Sequence, residues 1–249
     1  ARAAEVVTAL ADHHARYWDE AGLDRAPWLG PFADSIVPGQ IAHAVRACWP
    51  EIRARFADEL TPAATSVGDG LAAALPLVAE ELSRPPVTLA HGDLRLDNLF
   101  FHEACGVRAC DWQLTGRSRG MRDLAYFTVR PQLASISGIS TPPVLGGQFR
   151  QITVFMDQGR MLAHDDRAAA EADLVALYLD RLASRAVAGY DAETAWQDYR
   201  SGTILGFAYA IVALGGLDHD DARSAALPRT MLRRSVLAMT DLRCVLPDR

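Results

Sequence analysis

The stretch His91-Gly92-Asp93-Leu94-Arg95-Leu96-Asp97-Asn98 lies between two short apolar runs, Val87 to Ala90 and Leu99 to Phe101. A third run, Val107 to Cys110, follows the turn-like residues His102 to Gly106 and leads into Asp111-Trp112-Gln113. Short apolar runs bounded by turn residues read as strands. The spacing therefore predicts a polar loop hung between strands and followed by a hairpin. The acceptor side chains of Asp93, Asn98 and Asp111 are expected to converge from the strand ends.

On either side of this small sheet the periodicity is helical. Val6, Val7, Leu10, His14, Tyr17 and Trp18 mark an amphipathic helix from Glu5 to Trp18. A loop with several Pro and Gly runs from Gly22 to Gly39. Further helices are expected over Gln40 to Cys48, over Glu51 to Leu60 after Pro50, and over Gly70 to Leu82, with Gly68-Asp69-Gly70 as a helix break. Beyond Gly120 helices return: Leu174, Leu177, Tyr178 and Leu182 share a face, and Ile204 to Leu217 is apolar nearly all round, as in a buried helix. Little strand is expected after Asp111. Helices, then a small sheet, then a helical bundle describe an α+β, predominantly helical fold.

Composition narrows the chemistry. A net charge of −6 with no basic run argues against nucleic acid or an anionic membrane as a partner. No uninterrupted apolar stretch reaches the roughly 18 to 20 residues of a membrane span, so the chain is expected to be cytoplasmic. Cys48, Cys105, Cys110 and Cys244 form no CxxC pair and read as free thiols. The histidines show no HExxH spacing, and there is no GxSxG elbow. All 25 basic residues are arginine; there is no lysine. That excludes a Walker-type phosphate loop within the chain.

Phosphoryl transfer from a nucleotide needs a carboxylate to orient and deprotonate the attacking hydroxyl, and oxygen ligands for Mg²⁺. Asp93, Asn98 and Asp111 supply both. HGDxxxxN followed by a strand-borne Asp resembles the aminoglycoside phosphotransferase and choline kinase superfamily, relatives of the protein kinases. Within it, HGDLRLDNLFF (91–101) and ACDWQLTGRSRGMRDLAYF (109–127) most resemble the ecdysteroid-kinase-like bacterial phosphotransferases, with Asp-Trp-Gln in place of Asp-Phe-Gly. The similarity runs along most of the chain and is sharpest in this block.

The resemblance implies roles. Asp93 is the catalytic base, and Asn98 and Asp111 hold Mg²⁺ and, through it, ATP. His91 packs under the loop, Gly92 lets the backbone turn, and Asp123 bonds the loop backbone from the following helix. Arg95 and Asp97 are local loop partners, and Trp112 takes the Phe position of the metal motif. The fold implied is a protein-kinase-like C-terminal lobe spanning 1–249, with residues 131–172 as an insertion or lid in which Phe149, Phe155 and Met156 help form the acceptor pocket.

In such enzymes a β-rich N-terminal lobe carries a glycine loop and a lysine. Neither is in this chain, which begins at Ala1 inside a helix, so the expectation is a lobe of a longer protein, inactive by itself and prone to self-association through the face an N-terminal lobe would cover. The acceptor is expected to be a small hydroxylated molecule. With no dense acidic patch beyond Asp165-Asp166 and Asp218 to Asp221, a polycationic aminoglycoside is disfavoured, and the aromatic helix residues Trp196, Tyr199, Phe207 and Tyr209 fit a larger or less polar acceptor or simply the core. The alternative is a non-catalytic, kinase-like binding or regulatory module.

Overall fold

Val6, Val7, Leu10 and His14 face inward along α1, Arg2–Arg16, and the chain continues as an alternation of long helices around four short strands. The computed structural model describes residues 2–20, 22–23, 26, 28–102, 104–129, 164–216 and 222–247. Among them are seven α-helices, which makes the protein predominantly helical α+β. They are α1, α2 (Ile36–Arg55), α3 (Pro62–Leu82), α4 (Met121–Val129), α5 (His164–Ser184), α6 (Ala192–Gly215) and α7 (Ala222–Asp241). The strands are β1 (Thr88–Ala90), β2 (Leu99–His102), β3 (Gly106–Ala109) and β4 (Gly116–Ser118).

Two apolar clusters organise the helices. One is built by α2, α3, α6 and α7 around Ile52, Leu71, Leu75, Phe207 and Leu232. The other joins α1, α4, α5 and the underside of the β2–β3 hairpin around Val7, Leu99, Leu124 and Tyr178. Helix α3 is long and apolar enough to cross a membrane; here Val67, Leu71, Leu75, Val78 and Leu82 spend that apolarity on the first cluster. Its start is set by Thr61, whose hydroxyl accepts a hydrogen bond from the Ala64 N–H at 3.2 Å, with Pro62 in the first turn.

Three sequence expectations need correction. The helices expected on either side of Pro50 are one, α2, with Pro50 inside it. Val45, Trp49 and Ile52 fall on one buried face at helical spacing, and that packing carries the helix across the residue that cannot donate. Gly68-Asp69-Gly70 is no break but lies within α3. A Cβ on Gly68 would sit 2.2 Å from the Trp49 ring, so glycine lets α2 and α3 close on the indole, whose N–H donates to Asp69 at 2.9 Å. Strand β4, not expected beyond Asp111, pairs antiparallel with β1, Leu89 opposite Arg117.

The second sheet is the hairpin read from the sequence, β2 antiparallel to β3 with Leu99 opposite Ala109. The four cysteines are free. Of the stretch 131–172, residues 131–163 lie outside the described residues, with Phe149, Phe155 and Met156 among them; 164–172 belong to α5.

Candidate active site

The loop between β1 and β2 leaves β1 at Ala90 and turns at Gly92, whose φ is +84°. That is a left-handed conformation in which any Cβ is strained; at Gly92 it would also lie 2.2 Å from the Leu114 carbonyl oxygen. The turn exposes two consecutive backbone N–H groups, and Asp123 in the first turn of α4 accepts both. His91 N–H donates to Oδ2 at 2.6 Å and Gly92 N–H to Oδ1 at 2.8 Å.

Asp123 is completely buried and is held in turn. His14 Nε2 lies 3.3 Å from its Oδ2, and His14 Nδ1 lies 2.8 Å from the Tyr178 hydroxyl. Burial pushes the Tyr178 phenol well above its ordinary range. It therefore stays protonated and donates to Nδ1, which leaves Nε2–H to donate to Asp123. Burial acts to raise the Asp123 carboxyl. The His14 hydrogen bond, the charge of Arg122 and the Gly92 N–H outweigh it and bring the pKa down to about 2.

His91 is 1% exposed. Its Nδ1 accepts the Asp93 N–H at 3.2 Å and its Nε2 donates to the Cys110 carbonyl at 2.8 Å. One imidazole thus ties the loop carrying Asp93 to the strand end carrying Asp111. The Trp112 ring lies over His91, centroids 4.6 Å apart, and 5.1 Å from His13. His13 is held neutral, its pKa brought to about 4 by burial and by the neighbouring His14.

Asp93 is itself largely buried. Tyr126 on α4 donates its hydroxyl to Oδ1 at 2.9 Å. Asn98 Nδ2 reaches the Asp93 carbonyl at 2.9 Å and Oδ2 at 3.1 Å, and Arg95 Nε stands 3.3 Å from Oδ2. Two acceptors facing one atom of Asn98 identify that atom as the nitrogen. The amide oxygen then accepts no hydrogen bond from the described residues. Arg95 also approaches Asp97 at 3.7 Å.

Asp111 sits opposite. Cys110 N–H donates to the Asn98 carbonyl at 2.9 Å, so Asp111 is the next residue across the open end of the hairpin from Asn98. It is exposed, has φ +61°, and makes no side-chain hydrogen bond among the described residues. A divalent cation with hard-oxygen preference takes carboxylate and amide oxygens and keeps several waters when it is Mg²⁺. The free Asn98 amide oxygen and the Asp111 carboxylate fit that requirement. Among the described residues no group of three or more His, Cys, Asp and Glu could hold a metal, so any site here depends on Asn98 and on oxygens brought by a ligand.

The structure adds residues that the sequence reading passed over: Tyr126, His14, Tyr178 and Arg122. Arg122 is 3% exposed and its guanidinium carbon lies 3.7 Å from the centroid of the Phe32 ring. A desolvated cation–π contact contributes about 2 kcal/mol, whereas removing an ion from water costs several kcal/mol. Stacking alone leaves this cation under-compensated. Arg122 and Tyr126 stand inside the stretch 109–127 that carries the resemblance, but neither is assigned a role of its own by the sequence.

Comparison with family models finds no match for this chain, and comparisons with curated proteins and with solved structures find none either.

Proposed function

We propose that the chain is the catalytic lobe of an ATP- and Mg²⁺-dependent O-phosphotransferase of the aminoglycoside phosphotransferase and choline kinase type, with a protein-kinase-like C-terminal lobe as its fold. The observation that carries the reading is the pairing of Asp93, fixed by Tyr126 and Asn98, with an unbonded Asp111 across the hairpin end. Tyr126 and Asn98 hold the Asp93 carboxylate in one orientation. In that orientation it accepts the proton of an acceptor hydroxyl as the hydroxyl oxygen bonds to phosphorus. Asn98 and Asp111 are the residues that would hold Mg²⁺, whose role when bound is to neutralise phosphate charge. Since the chain has no lysine, any lysine that grips the phosphates has to come from another polypeptide segment. The isolated chain is accordingly expected to bind nucleotide weakly and turn over negligibly.

The absence of lysine also favours the second reading, a non-catalytic binding module. Calorimetric titration with MgATP separates them, run on this chain, on the intact product of the native gene, and on the Asp111→Asn and Asn98→Ala variants of that product. Binding to the native product that is lost in both variants supports the phosphotransferase. Binding that is equal in wild type and variants, or absent from the native product, rejects it in favour of the module.

A further inference from the structure

Between α1 and the β2–β3 hairpin lies a cavity of about 700 Å³, a volume within the range of small-molecule pockets. Ala9 and Leu10 line it from α1, Leu99, Val107 and Ala109 from the hairpin, and Leu94 from the loop before β2. His13, His91 and Trp112 add three rings to the wall, Trp112 standing 4.6 Å from His91 and 5.1 Å from His13 between centroids. Asp93, Asn98, Asp111 and Tyr126 do not line it. It is therefore a place distinct from the candidate active site, although His91 and Trp112 border both.

The polar groups of this wall are answered within the protein. Thr8 donates its hydroxyl to the Ala4 carbonyl at 2.8 Å, and the Trp112 indole N–H donates to the Ala109 carbonyl at 3.1 Å. His13 Nε2 lies 2.9 Å from the Leu89 carbonyl, and both nitrogens of His91 are engaged. Asp12 takes Arg181 at 2.6 Å and Arg185 at 2.7 Å. Glu5 and Arg108, of opposite sign, are exposed and keep their water. Among the described residues, no buried side-chain polar atom that lacks a partner belongs to the cavity. A charged or strongly polar ligand would give up its hydration here and gain no hydrogen bond in exchange. An apolar ligand bears no such cost. The rings narrow the choice further. Trp112 keeps 37% of its surface exposed, and His13, with its pKa lowered to about 4 by burial, presents an uncharged imidazole at neutral pH. Offset and edge-to-face contacts with such rings favour another ring over a saturated hydrocarbon.

We propose that the cavity between α1 and the hairpin is a binding site for a small uncharged aromatic molecule of two or three rings, seated against Trp112. Its walls and their chemistry are those of the chain itself, so the assignment does not rest on the phosphotransferase reading.

Cys105, a free and exposed thiol that lines the cavity, supplies the reporter. The full chain is treated with N-(2-naphthyl)maleimide or with N-ethylmaleimide, and modification of the Cys105 peptide is followed by mass spectrometry. In both reactions the thiolate sulfur bonds to one alkene carbon and a proton from water goes to the other, with no leaving group. Each rate is divided by that of the same reagent with glutathione. The naphthyl reagent is expected to label Cys105 at a rate that saturates with concentration and exceeds the N-ethyl rate by about tenfold or more, the factor that corresponds to 1.4 kcal/mol of prior binding. Uncharged 2-naphthol should abolish that advantage, and its saturated counterpart decahydro-2-naphthol should not. Ala9→Trp, which fills the cavity from α1, should remove the advantage and leave the N-ethyl rate unchanged. Equal, unsaturable rates for the two reagents overturn the proposal, as does a naphthyl advantage that survives both 2-naphthol and Ala9→Trp. Equal competition by the saturated alcohol overturns the aromatic assignment. If Ala9→Trp does not fold, Trp112→Leu takes its place, and an undiminished advantage in that variant overturns the proposal.

Discussion

The two sides of the candidate site are built on opposite plans. Asp93 and the loop that carries it are enclosed: Asp123, His91, Asn98 and Tyr126 engage the backbone and the carboxylate, and His14 and Tyr178 hold Asp123 from behind. Asp111 stands exposed at φ +61°, joined to the rest through the backbone of Cys110. If Asp93 is the proposed base, it must be aimed at one hydrogen atom, which suits its over-determined geometry. If Asp111 receives the proposed hydrated cation with its nucleotide, it gains from staying open. Substitutions that damage the first side should cost stability, and those on the second should cost binding alone.

The largest effect is expected from Asp123→Ala, which strands two backbone N–H groups and the His14 N–H inside the protein. Chemical denaturation should show a loss of about 3–5 kcal/mol. A loss below about 1 kcal/mol would mean that the loop does not depend on this clamp. Gly92→Ala should follow, at roughly 2–4 kcal/mol, from left-handed strain combined with the clash against Leu114.

The pH dependence is smaller and has a defined sign. Folded His13 titrates at about 4 against 6.5 for the free side chain. Between those values the unfolded chain binds a proton that the folded one refuses, so stability should fall by on the order of 2–3 kcal/mol as pH drops from 6.5 to 4. His13→Gln should flatten that slope. Asp123, with its lowered pKa, adds a loss only below pH 3.8, as pH falls toward about 2. Asp111→Asn sharpens the comparison from the other side. Its unfolding midpoint should stay within about 0.5 kcal/mol of the parent, while calorimetry should show Mg²⁺-nucleotide binding to the native gene product lost.

The parts legible in the sequence were those with local signals. Short apolar runs on either side of the turn-like residues His102 to Gly106 marked the hairpin, and the helical spacing of Val6, Leu10 and His14 marked α1. The offsets of Asp93, Asn98, Asp111 and Asp123 allowed them to be singled out together, and the structure brings Asn98 to Asp93 and Asp123 to the loop backbone. What escaped depended on partners distant along the chain. Strand β4, Gly-Arg-Ser, has no apolar alternation of its own and exists through its pairing with β1. Pro50 and Gly68 looked like breaks because the packing of Trp49 between α2 and α3 cannot be seen locally. Tyr126 and Arg122 carry chemistry only through what they face, and nothing in their neighbours along the chain reports that.

The clamp on Asp123 joins residues far apart in the chain: His14 is 109 positions from Asp123 and 164 from Tyr178. Contacts of such sequence separation close late, because the intervening chain loses its freedom before the contact repays it. The loop between β1 and β2 should therefore be among the last parts of the molecule to reach native geometry during folding. A chain that has gained its helices but not yet docked α1 and α5 would display the whole motif in sequence and none of its chemistry.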